Sequence, residues 1–156
     1  MSFRLVSVIA AVVLSCASLA PAKDLAVVSH KSNPLSTITI ADLLKVCKGQ
    51  TTHWPDGKPI TCVIRNPTSP DMKVALEKIY IMSKDELIAA VAAANRGRMN
   101  HPAVLVLDSD DAVVKRVETT PGSVGLVDVY AITGGVNVVK VGGKLPLEPG
   151  YPLHGN

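Results

Sequence analysis

Between Ile60 and Tyr80 the hydrophobic period changes from two to 3.6, and a strand that feeds a helix in this way belongs to a sheet with helices packed on it. Ile60-Thr61-Cys62-Val63-Ile64-Arg65 is a β-branched, strand-like run, whereas Met72, Leu76, Ile79 and Tyr80 recur at helical spacing. The loop between them carries a helix-start signature. Ser69 is the expected N-cap, Pro70 takes the first helical position, where a missing N–H costs nothing, and Asp71 falls in the first turn, where the helix dipole favours negative charge.

A helix start facing the carboxyl end of a strand is a place where proteins hold anions, and Arg65 closes this strand. The residues therefore nominate Arg65 and Ser69 for a small anion. The plainer alternative is that Ser69 only caps its helix and Arg65 only solvates a strand end.

The rest of the chain repeats the alternation of strands and helices. Leu25 to Ser29 is almost wholly apolar, as expected for a strand buried on both faces. Thr39 with Asp42 predicts a capped helix through Val46 that Gly49 can end, and Trp54 precedes the tight-turn signal Pro55-Asp56-Gly57. Ser83-Lys84-Asp85-Glu86 is a capping box for a helix to about Asn95. A strand over Ala103 to Leu107, caps at Asp108-Ser109, a helix ending near Thr119, a strand over Ser123 to Val127, a short turn from Asp128 and a last strand over Val136 to Val141 follow. The prediction is an α/β fold with a mostly parallel sheet flanked by helices, as one domain over residues 23–144. From Leu145 to Asn156, prolines and glycines predict an extended, poorly packed tail.

Residues 1–22 read as a signal peptide: Arg4, an apolar run from Leu5 to Leu19, and Ala20-Pro21-Ala22 as a cleavage site, with lipid attachment at Cys16 as the rival reading. Removing Arg4 leaves 15 basic against 13 acidic residues, with no basic run, and Phe3, the only Phe, leaves with the leader, so nucleic acid is excluded as a partner. Export would expose Cys47 and Cys62 to oxidising conditions, where a disulfide closing that loop would be worth about 3 kcal/mol; two buried thiols are the other reading.

His30, His53, His101 and His154 lack paired spacing, so no metal site is expected. No serine sits in a nucleophile elbow and neither cysteine has an activating histidine, so the chain is not expected to be an enzyme and no cofactor is implied. Asp108, Asp110 and Asp111 read as helix caps, and Lys31-Ser32-Asn33 as ordinary loop chemistry.

Three segments in order, Leu25 to Leu44, Gly49 to Arg65 with Trp-Pro-Asp-Gly, and Val117 to Val127 with Thr-Pro-Gly-Ser-Val-Gly, resemble the PstS-like phosphate-binding proteins of the type 2 periplasmic-binding-protein family. The resemblance implies a fold like one lobe of such a protein, located in the periplasm or secreted, that captures phosphate or a similar small oxyanion for the membrane component of an ABC importer. A second copy of the chain is another implied partner. Arg65 and Ser69 carry over as ligand-binding residues, with Thr68 and Asp71 beside them. The alternative function is an envelope interaction module that keeps the fold without the ligand.

Overall fold

The computed structural model describes residues 23–155. The expectations for a signal peptide over residues 1–22 and for lipid attachment at Cys16 lie outside the described residues. Strands β1 (Leu25–His30), β2 (Thr37–Ile38), β3 (Thr61–Arg65), β4 (Val104–Leu107), β5 (Ser123–Asp128) and β6 (Val136–Val141) form one sheet in the order β2-β6-β1-β5-β3-β4. Helices α1 (Ile40–Cys47), α2 (a 3-10 turn at Pro70–Met72 continuing through Lys73–Ala75 and Leu76–Tyr80), α3 (Lys84–Ala94) and α4 (Asp110–Thr119) flank it.

The predicted α/β architecture is present, with three of the five strand pairings parallel: β3 with β4, β3 with β5, and β2 with β6. β1 runs antiparallel to both neighbours, β5 and β6. The reason is connectivity. The connections from β3 to β4 and from β4 to β5 each pass through helices, which keeps these three strands parallel, whereas no helical crossover joins β1 directly to β5 or to β6.

The strand alternation sorts the core into two layers. Leu25, Val27, Cys62, Ile64, Val124 and Leu126 face one side with Leu43, Met72, Ile79 and Leu87 of α1, α2 and α3. Ala26, Val28, Val63 and Val127 face the other, against Val113, Val114 and Val117 of α4. The chain therefore leaves β3 toward one face and β4 toward the other. Loops that diverge in this way open a crevice at the carboxyl ends of the two strands, the usual ligand position in such sheets.

The caps form as the sequence predicts. Thr39 accepts from the Asp42 amide, Ser109 from the Ala112 amide, and Ser83 and Glu86 close both arms of a capping box. α2 departs from a regular helix: its last turn widens so that the Ile81 amide bonds to Leu76 O, which buries the consecutive Ile79 and Tyr80 together. Ile81, 78% exposed, then takes a left-handed conformation at φ 51°, an unusual choice for a β-branched residue.

The expected poorly packed tail is corrected. Tyr151 and Leu153 are buried against the start of β1: Leu25 N donates to Leu153 O at 2.9 Å, and the Tyr151 hydroxyl donates to Leu25 O at 2.7 Å. Asp24 receives the Leu147 amide at 2.7 Å and pairs with His154 Nδ1 at 2.5 Å. Proline and glycine deny this segment a regular ladder, but two apolar side chains two residues apart still find one face to cover.

Candidate functional site

Arg65 ends β3 beside Leu107, its partner at the end of β4. Its side chain, 15% exposed, lies in the crevice between the α2 and α4 starts. Nη2 donates to Ser69 Oγ at 3.2 Å, and Nη1 lies 3.1 Å from Oδ2 of both Asp71 and Asp110. The Ser69 oxygen also accepts from the Asp71 amide, so its own O–H is left to donate outward. Two buried atoms in this cluster, Arg65 Nε and Asp110 Oδ1, have no hydrogen-bond partner among the described residues. One is a donor and the other an acceptor.

The structure thus brings Arg65, Ser69 and Asp71 together and adds Asp110, which the sequence marks only as a helix cap. No local signal finds it, because Asp110 reaches Arg65 only through the pairing of β4 with β3. Thr68 turns elsewhere: its hydroxyl and amide both bond to Asn66 Oδ1, closing the loop before the helix. Pro70 occupies the first helical position and contributes no amide.

A second ion pair borders the cluster. Because β1 is antiparallel to β5, its beginning lies at the carboxyl end of β5, and Lys23 Nζ meets Asp128 Oδ2 at 3.0 Å. That hydrogen bond, with the Asp128 charge and smaller effects of Asp71 and Asp110, holds the Lys23 ammonium above its usual range. A shallow cleft of about 380 Å³ opens next to it, lined by Ser109, Asp110, Asp111, Asp128, Tyr130 and Ala131. Arg65 and Lys23 therefore meet three carboxylates, Asp71, Asp110 and Asp128, and a fourth, Asp111, lines the cleft beside them. This field disfavours a fully ionised dianion and suits a ligand that can itself donate a proton.

The segments that carried the family resemblance meet at the opposite end of the strands, where β3 and β5 begin. Gly122, at φ 85°, donates its amide N–H to Asn33 Oδ1 at 2.8 Å and accepts the Trp54 indole N–H on its carbonyl at 2.9 Å. A Cβ at this glycine would stand 2.2 Å from Pro59 O, so only glycine fits. Asn33, Trp54 and the Thr-Pro-Gly turn are thus a structural hub joining the entries of β3 and β5.

Cys47 and Cys62 are both free thiols, buried with Sγ atoms 3.0 Å apart. Among the described residues there is no group of three His, Cys, Asp or Glu side chains suited to a metal, and no helix long and apolar enough to cross a membrane.

A mixed sheet with helices on both faces and a charged crevice at its carboxyl ends is the architecture of one lobe of a solute-binding protein. The family description "PBP superfamily domain" matches residues 19–150, and the chain belongs to that family. Similar solved structures include an ABC-type phosphate transport receptor from Vibrio cholerae, with TM-score 0.69 and 19% identity over 86% of this chain and 54% of that one. A phosphate ABC transporter substrate-binding protein with bound phosphate from Clostridium perfringens gives TM-score 0.67 and 20% identity over 85% of this chain and 53% of that one. PstS from Borrelia burgdorferi gives 0.66 and 19% over 86% and 55%. The chain spans about half the length of these proteins. No curated protein matches it.

Proposed function

We propose that the chain is an exported, non-enzymatic solute-binding domain that recognises a small protonated oxyanion, phosphate or a close analogue, in the crevice at Arg65. The observation that carries this reading is the unpartnered pair of buried atoms in one cluster, Arg65 Nε and Asp110 Oδ1. A hydrogen phosphate offers both an acceptor oxygen for Nε and an O–H for the carboxylate, and the free Ser69 O–H can complete the shell. The phosphate named for the Clostridium perfringens and Vibrio cholerae proteins supports the same ligand class. Delivery to the membrane component of an ABC importer, or a crevice completed by a second copy of the chain, belongs to the same reading.

A second reading rests on a specific observation: Nη1 of Arg65 is already shared by two carboxylates, and two more line the adjoining cleft. In that case the cluster is an internal brace, and the domain is an envelope interaction module that keeps the fold without the ligand. Calorimetry with phosphate and with sulfate separates the two. Loss of one charge-assisted hydrogen bond costs about 1.5 to 3 kcal/mol, so Arg65→Ala should weaken binding at least about tenfold. Arg96→Ala, in the exposed turn after α3, should leave it unchanged. Wild-type protein that binds neither oxyanion supports the module reading, and equal binding by Arg65→Ala moves the site elsewhere.

A further inference from the structure

We propose that Cys47 and Cys62 form an intramolecular disulfide when the chain folds in an oxidising environment, stapling the end of α1 to the central strand β3. Cys47 is the last residue of α1, and Cys62 lies inside β3, between Val104 of β4 and Val124 of β5. Their sulfurs are 3.0 Å apart, about 1 Å beyond a disulfide bond. Both side chains already point at each other from two different elements, so bond formation needs a side-chain adjustment rather than movement of the sheet.

The same surroundings decide when the bond forms. Both thiols are almost wholly buried, and Tyr80 closes over them with its hydroxyl donating to Cys47 O at 3.2 Å. The neighbouring Cys47 thiol and burial together push the Cys62 thiol well above its ordinary range, so little Cys62 thiolate is available in the closed fold, and burial shields both sulfurs from an external oxidant. Oxidation therefore belongs to the folding chain or to a locally opened state. One cysteine thiolate attacks a sulfur of a disulfide oxidant, such as oxidised glutathione, and releases one glutathione thiolate. The second cysteine then attacks the mixed disulfide and releases the other. The protein loses two electrons and two protons, and the oxidant gains them as two thiols. Once made, the bond is shielded from reductants by the same burial.

The staple is independent of any ligand, and its test needs neither export nor the oxyanion. The full chain in a Cys16→Ala background is refolded in a glutathione redox buffer, then denatured and alkylated without reductant. The expected product is a monomer two hydrogens lighter than the dithiol, with no alkylation and with the Cys47 and Cys62 peptides joined. Reduction should lower its melting temperature by about 10 °C, an effect absent in a Cys62→Ala variant. Two alkylated cysteines, or a disulfide joining two chains, would overturn the proposal.

Discussion

The amide of Asn33 is buried and uses both of its ends across the molecule. Nδ2 donates to Ser123 O at 2.9 Å while Oδ1 accepts from Gly122 N at 2.8 Å. Removing it leaves two backbone groups at the entry of β5 without partners, each costing about 1 to 3 kcal/mol. Asn33→Ala should therefore lower stability by about 2 to 6 kcal/mol in urea titration; a loss well below about 1 kcal/mol would mean that water replaces the amide. In the sequence Asn33 looks like a residue of any loop, because its partners lie some ninety positions away. Arg65 and Ser69 are different. Their pairing follows from a strand end and a cap four residues apart, a local arrangement readable from the chain. Asp110 was readable only as a cap, since its approach to Arg65 depends on β4 pairing with β3.

Among the elements, α4 sits close on the sheet. Gly125 in β5 lies under it, and a Cβ there would stand 2.8 Å from Val117 Cγ2 and 2.9 Å from Val113 Cγ1. These are branched side chains with little rotamer freedom, so the helix itself must shift. Gly125→Ala should cost about 1 to 3 kcal/mol by overpacking, whereas Gly134→Ala, whose Cβ would meet nothing within 4 Å, should stay within about 0.5 kcal/mol. Thermal melts of the two variants check this. The helices themselves were legible because each announces its start: Thr39, Ser83 and Ser109 cap as their spacing predicts. The widened last turn of α2 was not. It depends on burying Ile79 and Tyr80 side by side, a demand made by α1 and the sheet rather than by the local sequence.

At the scale of the molecule, two buried hydroxyls and one buried thiol link folding to protons. Burial, with a smaller effect of the Asp24 charge, raises the Tyr151 hydroxyl well above its ordinary value near 10. Burial first, and then the two cysteines, raise Tyr80 likewise. Groups whose folded pKa is raised keep their full contribution below the unfolded value and lose it as pH climbs past that value. Stability should thus fall steeply from about pH 9 upward. Cys62 adds to this only while it is a thiol. Tyr151→Phe should flatten the alkaline slope while costing about 1 kcal/mol at neutral pH for the lost bond to Leu25 O. Denaturant titrations from about pH 7 to about pH 11 measure both effects, and an unchanged slope would place the alkaline sensitivity elsewhere.

What the sequence determined by itself was local and periodic. The switch from period two to 3.6 at Arg65 to Ser69, the four hydroxyl caps at Thr39, Ser69, Ser83 and Ser109, and the Trp-Pro-Asp-Gly and Thr-Pro-Gly turns fix which segments are strands, helices and turns, because each signal acts within a few residues. The tertiary structure decided the rest. The antiparallel placement of β1 brings Lys23 to Asp128, the docking of Tyr151 and Leu153 on β1 turns a proline-rich tail into core, and the pairing of β4 with β3 sets a second carboxylate against Arg65. These depend on which strands become neighbours, and that choice is made by burying both faces of the sheet at once, a condition on the whole chain that no short stretch of it encodes.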